Sequence, residues 1–346
     1  MVTVSDQLWG EHEGMPIHLF KMENSSGAYV ELTNYGGTLV SVGVPDRNGA
    51  LGNVVLGYPV LRGYLEDNAY IGSTIGRFAN RIANARFAID GRVYQLEDND
   101  NGHCNHSAGS GFHARVFDAR TEDDQLTFTL FSADADGGFP GNLELRVSYR
   151  WTENNRLLII YDAESDQKTV ANFTNHAYFN LSAKNEKIFD HVLTIDADEL
   201  LEANADYIPT GKILSAGPIA FQQNQIRERI VSGEQTTGIN VCYVLKDKGN
   251  LTKSAAVLSD PGSGRMMEVF TSYPGLMLYT GDYLNTAHSG HLGLSYQPFD
   301  GLCLECQFYP DSPNHPAFPS SVLKPGEIYQ HSIEFQFSNT QDLISK

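Results

Sequence analysis

The sequence contains no apolar run approaching the roughly 20 residues that a helix needs to cross a bilayer, which excludes an α-helical membrane span. Cysteine is scarce: Cys104, Cys242, Cys303 and Cys306 are spread over 346 residues without a paired framework. That usage excludes a disulfide scaffold and predicts free thiols in a reducing compartment. Positive charge is also short, with 24 Lys and Arg against 42 Asp and Glu and a formal net charge of -18. Such a field repels phosphate backbones and anionic lipid surfaces, so neither nucleic acid nor membrane is an expected partner and a neutral small molecule fits best. The opening stretch, MVTVSDQLWGEHEGMPIHLF, lacks a basic region followed by an apolar one, so the expected location is cytoplasmic. No Pro, Gly or Ser-rich linker, charged tail or fixed-period repeat interrupts the chain, which predicts a single domain over residues 1–346.

Helical periodicity is sparse too, limited to short pieces around 61–66 and 222–228. What replaces it is period-two alternation. Leu143, Leu145, Val147, Tyr149 and Trp151 alternate with Glu144, Arg146, Ser148 and Arg150, the pattern of a strand with one dry and one wet face. Thr152 to Asn155 and a second run over 156–163 complete a hairpin. Arg86 to Ile89 and Arg92 to Leu96 flank Asp90-Gly91, whose positive-φ tolerance suits a tight hairpin turn. Further strands are expected over 29–44, 126–132, 191–195, 242–245, 255–259, 266–271, 276–280 and 328–337. Many short strands with few helices imply an all-β protein, a large antiparallel β-sandwich.

Within this pattern, Gly301-Leu302-Cys303-Leu304-Glu305-Cys306-Gln307-Phe308 places a carboxylate inside an apolar strand. Alternation sends Leu302, Leu304 and Cys306 to one face and Cys303, Glu305 and Gln307 to the other, so the two cysteines of CLEC point apart and cannot share a metal or a disulfide. Glu305 is then either an acid on a solvent-facing edge or a group inside a polar, sugar-compatible cleft. Thr174-Asn175-His176-Ala177-Tyr178-Phe179-Asn180 is a second polar concentration, in which alternation aligns His176, Tyr178 and Asn180. His176 is either a satisfied core histidine or a general acid. The loops 98–113 and 309–324 are placed to wall a cleft.

Several long segments in order carry a resemblance: Gly76-Arg77-Phe78-Ala79-Asn80-Arg81-Ile82, Asn105-His106 leading to Gly111-Phe112, Gly138 to Leu143, Thr174 to Leu181, Tyr279-Thr280-Gly281, Leu304-Glu305-Cys306-Gln307, and Pro310-Asp311-Ser312-Pro313-Asn314-His315-Pro316. In these the chain resembles the galactose mutarotase, or aldose 1-epimerase, family over nearly its whole length. The resemblance implies a galactose mutarotase-like β-sandwich and a cofactor-independent, metal-free isomerase acting on a neutral monosaccharide such as D-galactose or D-glucose; the sequence leaves the assembly open between monomer and homodimer. It implies Glu305 as general base toward the anomeric hydroxyl and His176 as general acid toward the ring oxygen. Arg77, His106, Asn240, Tyr178 and Asn80 would bind sugar.

The chain departs from the family pattern at two places. Gly238-Ile239-Asn240 stands where the family carries an aspartate, which replaces a charged acceptor by a neutral one. Around His106 the usual preceding leucine and following glycine are missing. A non-catalytic carbohydrate-binding or sugar-sensing sandwich is the alternative function. A glycoside hydrolase would need a second carboxylate mated to Glu305, and a metal site would have to draw on His103, His106 and His113. Tyr273, Tyr279 and Phe308 are either core residues or stacking surfaces for a sugar.

Overall fold

A computed structural model describes residues 1–340. The alternating segments form two large antiparallel sheets. One has nine strands in the order Asp118–Glu122, Gln125–Ser132, Leu143–Trp151, Arg156–Ser165, Tyr329–Asn339, Arg265–Thr271, Ala256–Ser259, Val192–Ile195 and Gln222–Gln225. The other has six, in the order Tyr178–Phe179, Leu302–Gln307, Gly275–Tyr279, Asn240–Val244, Glu199–Ala203 and Pro209–Ser215. The dry faces of both meet in one hydrophobic core that joins Leu145, Val147, Ile159 and Phe335 to Leu276, Leu278, Leu302, Leu304 and Cys306. Full burial of each such aliphatic side chain contributes roughly 1.5–3 kcal/mol, so a sheet presenting a whole row of them is held firmly enough to be a platform. Trp151 is wholly buried and satisfies its indole N–H on the Ala28 carbonyl at 3.1 Å.

The expected hairpins at 86–96 and 143–163 form, ending at Gln95 and Ser165, and Asp90 and Gly91 both take positive φ. The expected strand over 29–44 is two strands, Tyr29–Thr33 and Thr38–Pro45, because Gly36 and Gly37 turn the chain with positive φ between them. They belong to a five-stranded N-terminal sheet with Thr3–His12, Met15–Glu23 and Leu51–Asn53. The helical turn expected at 61–66 occurs at Leu61–Leu65, whereas the one expected at 222–228 is displaced. Gln222–Gln225 pairs as an edge strand with Val192–Ile195, and the helical turn follows at Arg227–Ile230. No helix among the described residues is long and apolar enough to cross a membrane.

Candidate active site

Because Leu302, Leu304 and Cys306 are drawn into the core, the pleat turns Cys303 and Glu305 to the opposite, concave face of the six-stranded sheet. Cross-strand register then aligns side chains from four strands in one row: Asn240 opposite Tyr279, Tyr279 opposite Cys303, and Cys303 opposite Tyr178. Glu305 lies in the next row, opposite Met277. A cleft of about 350 Å³ opens above these rows. Its walls come from the 68–81 segment with Asn80 and Arg81, from the loop with Asn99, Asp100, Asn105 and His106, and from Tyr283 to Asn285.

His176 reaches the cleft because its backbone is clamped on both sides. Its N–H donates to the Ser73 carbonyl at 2.9 Å, and its carbonyl accepts the Gly72 N–H at 3.0 Å. Gly72 has φ +70°, and a Cβ there would lie 2.0 Å from the Leu39 carbonyl oxygen, so only glycine lets these segments approach. The imidazole Nε2 stands 3.8 Å from Oε1 of Glu305, and both side chains are almost completely buried. Nδ1 of the same ring lies 3.6 Å from Sγ of Cys303.

Burial sets the proton affinities. The Glu305 carboxyl is pushed up to about 8 by loss of hydration, an effect that the Arg81 cation partly offsets. Loss of hydration also takes the His176 imidazole down to about 4, against a hydrogen bond to its own backbone that favours the charged form. His106, equally enclosed and facing His176 and Arg81, falls well below the ordinary histidine range. Between about pH 4 and about pH 8 the Glu305–His176 pair therefore carries a single proton. One oxygen of Glu305, Oε2, accepts no hydrogen bond from the protein, so the carboxyl group is unencumbered for a ligand hydroxyl.

His106 is held by a different device. Its Nδ1 accepts the Asn80 backbone N–H at 3.1 Å, which leaves the proton of the neutral ring on Nε2. His106, Ser107 and Ala108 all take left-handed φ, of 52°, 65° and 50°. The Ser107 hydroxyl ties this loop down, accepting the Phe78 N–H at 2.9 Å and donating to the Phe78 carbonyl at 3.3 Å. Donor atoms of His106, His176 and Glu305 lie within 4.8 Å of one another, and among the described residues this is the group with metal-ligand composition. The proton on His106 Nε2 makes that nitrogen a hydrogen-bond donor and withholds it as a ligand. His103 is occupied elsewhere, its Nδ1 accepting the Asn84 N–H, and His113 packs behind Tyr70.

Of the residues singled out from sequence, Glu305, His176, His106, Asn240, Tyr178 and Asn80 all line this cleft, as does Tyr279. Arg77 does not. Its guanidinium is buried and donates to the carbonyls of Pro140 and Gly141 at 2.9 Å and to Ser132 O, Ser132 Oγ and Ala133 O at 2.6–3.2 Å. These contacts occupy both terminal nitrogens of the guanidinium, and Arg77 ties the Gly138–Asn142 turn to the Gly76–Ile82 segment. The arginine at the cleft is Arg81, whose Nε donates to Asp100 at 2.7 Å and whose cation lies 5.1 Å from the centre of the Tyr207 ring.

Asn180 also leaves the row expected of it. The strand around it is only Tyr178–Phe179, so alternation ends there, and the Asn180 amide donates to the Glu186 and Asp300 carbonyls. The Pro310–Pro316 segment buttresses the site from outside. Asp311 donates its N–H to the Arg81 carbonyl at 2.7 Å, accepts the Ala83 N–H at 2.9 Å and contacts His315 at 3.2 Å. Tyr273 is a core residue paired with Tyr329 by their hydroxyls, and Phe308 packs beside it. Tyr70 escaped sequence reading although its ring sits against His106, His113 and His176, at centroid distances of 4.7, 4.7 and 5.7 Å. Nothing in a lone Tyr before Ile71-Gly72 signals that position.

The family model for aldose 1-epimerase matches residues 18–336. The chain is 35% identical to the galactose mutarotase of Bos taurus, covering 98% of this chain and 99% of that protein. It is likewise 35% identical to the aldose 1-epimerase of Escherichia coli K12, covering 94% and 96%. Among solved structures it is similar to a GalM/aldose epimerase homologue from C. elegans, with a TM-score of 0.87 at 29% identity over 92% of this chain and 98% of that one. It is also similar to a galactose 1-epimerase from Lactobacillus acidophilus, with a TM-score of 0.85 at 25% identity over 98% and 99%.

Proposed function

The chain belongs to the aldose 1-epimerase family and is an isomerase that interconverts the α and β anomers of an aldose, and we propose that Glu305 and His176 carry the proton transfers. The observation that supports this assignment is their disposition in the cleft: a carboxyl oxygen and an imidazole nitrogen, 3.8 Å apart, which between them hold one proton.

Opening a cyclic hemiacetal requires a proton to leave O1 while another arrives at O5. Glu305 takes the O1 proton, the O–H electron pair forms the C1=O1 double bond, and the C1–O5 pair moves onto O5, which collects the proton from Nε2 of His176. Rotation about C1–C2 presents the other face of the aldehyde, and reclosure runs the transfers backwards with the two roles exchanged. No electrons leave the system, so the step balances without a redox partner. Each positioned acid or base is worth on the order of 10²–10⁴ in rate. At rest the shared proton sits on Glu305, since its affinity is the higher. The Arg81 cation favours its transfer to His176, because it stabilises the carboxylate.

The remaining groups bind. Asn240, Asn80, Arg81 and the Nε2–H of His106 offer donors and acceptors to ring hydroxyls, and Tyr178 and Tyr279 supply apolar surface to the C–H faces. We take the substrate to be a free neutral monosaccharide such as D-galactose or D-glucose. The cleft draws lining residues from Asn68 to Glu305, which supports reading 1–346 as one domain whose site is complete within one chain, as a monomer or in a homodimer. Four unpaired buried cysteines favour a cytoplasmic setting. Polarimetry of freshly dissolved α-D-galactose and α-D-glucose tests the assignment. Acceleration over the spontaneous rate that disappears in Glu305→Gln and His176→Asn supports it, whereas sugar binding by calorimetry with no acceleration for any aldose would make the protein a sensor.

A further inference from the structure

Cys303 takes no part in the proton transfers described above, yet it touches the ring that does. It shares the concave face with Glu305 two residues along the same strand, and it is fully buried, at 0% exposure. The two side chains bracket the His176 imidazole: Oε1 of Glu305 approaches Nε2 at 3.8 Å, and Sγ of Cys303 approaches Nδ1 at 3.6 Å. Cross-strand register fixes the thiol from either side, with Tyr279 opposite on one neighbouring strand and Tyr178 on the other.

Resting on the reading of His176 as the acid, we propose that Cys303 is a positioning residue whose sulfur accepts the Nδ1–H of His176 and thereby fixes the tautomer that leaves Nε2 to exchange the proton. A neutral imidazole carries one N–H, and which nitrogen holds it is decided by the partner of the other. Burial raises the affinity of the thiol for its own proton well above the ordinary range, so Cys303 stays a neutral thiol, whose sulfur has lone pairs able to accept a hydrogen bond. When Nε2 delivers its proton to O5, the ring left behind must be the Nδ1–H form, and a sulfur acceptor at that nitrogen favours this form over its alternative. Sulfur is a weak acceptor, so the preference it imposes between the two tautomers is modest.

The test is long-range ¹H–¹⁵N correlation of the histidines in the full ¹⁵N-labelled chain at neutral pH, with His176 assigned by the loss of its signals in His176→Asn. The expected wild-type result is a protonated Nδ1 and a bare Nε2. Cys303→Ser, which keeps an acceptor, should retain that tautomer and most of kcat. Cys303→Ala should give mixed tautomers and lower kcat on the order of tenfold, as loss of an orienting partner does, with KM unchanged. A wild-type ring protonated at Nε2, or an Ala variant with unaltered tautomer and kcat, overturns the proposal. Should the Ala variant not fold, the wild-type and Ser spectra still decide it. Should His176→Asn retain full mutarotation, the parent reading fails, whatever the spectra show.

Discussion

His176 Nε2 and Glu305 Oε1 are separated by 3.8 Å, too far for a hydrogen bond between them and close enough to hand protons to two atoms of one ring. The carboxyl is the more basic member, at about 8 against about 4, an inversion of the ordinary order produced by burial of both. The working form, carboxylate beside imidazolium, has the same number of protons as the resting form.

That equality fixes the pH profile. Below about 4 the pair gains a second proton and Glu305 cannot act as base; above about 8 it loses its only proton and His176 has none to give. kcat/KM should be bell-shaped between those limits. Arg81 lowers the Glu305 value, so Arg81→Gln should move the alkaline limb to higher pH. Polarimetric rates from pH 3.5 to 9.5 check both, and an alkaline limb that stays in place or moves down would contradict the electrostatic role of Arg81.

The two arginines of the Gly76–Ile82 segment should separate cleanly. Arg77→Met strips the partner from buried carbonyls and should cost on the order of 3 kcal/mol or more, since each stranded buried acceptor costs about 1–3 kcal/mol. Arg81→Gln should leave the urea midpoint within error and raise KM. Denaturation curves beside Michaelis profiles distinguish them; a stable Arg77 variant with a raised KM would place Arg77 at the substrate after all.

On the proposed binding role of Asn240, its neutral amide offers a sugar hydroxyl a weaker acceptor than a carboxylate would, because charge-assisted bonds are about twice as strong as neutral ones. Asn240→Asp should lower KM for galactose. An unchanged or higher KM measured by polarimetry over a range of galactose concentrations would remove the specificity argument.

Gly72 is required by backbone proximity. Gly72→Ala forces a Cβ into the Leu39 carbonyl and a left-handed backbone, which should destabilise the fold by more than the roughly 1–2 kcal/mol of the φ term alone. Because Gly72 also holds the His176 carbonyl, kcat should fall in whatever protein remains folded. Thermal melts and single-turnover rates on the folded fraction check this, and wild-type stability would refute the close-approach argument.

How much of this was legible in the sequence depends on the range of the interactions. Period-two alternation at 143–151 and 302–308 announced both sheets and the face carrying Glu305, because a pleat is a local property. The register row of Asn240, Tyr279, Cys303 and Tyr178 depends on which strands become neighbours, which no local pattern states. Arg77 and Arg81 are four residues apart in one motif, and only the tertiary path decides which turns inward to the Pro140 turn and which faces the cleft. Tyr70 was invisible because its importance lies in three histidines from distant segments. The N-terminal strand Thr3–His12 was missed because it is an edge strand, largely exposed and with little alternation, whereas Met15–Glu23, inside the same sheet, buries Phe20 and Met22 beside Lys21 and Glu23 and was legible.

A double-mutant cycle on Glu305→Gln and His176→Asn, read as kcat for α-D-galactose after subtraction of the spontaneous rate, tests the concerted pair most directly. Each single change should lower kcat by about 10²–10⁴, and the double variant should be no slower than the slower single one, since removing either member already disables the joint transfer. Losses that multiply, or a single variant that keeps wild-type kcat, would show that the two side chains do not act as one proton-transfer unit.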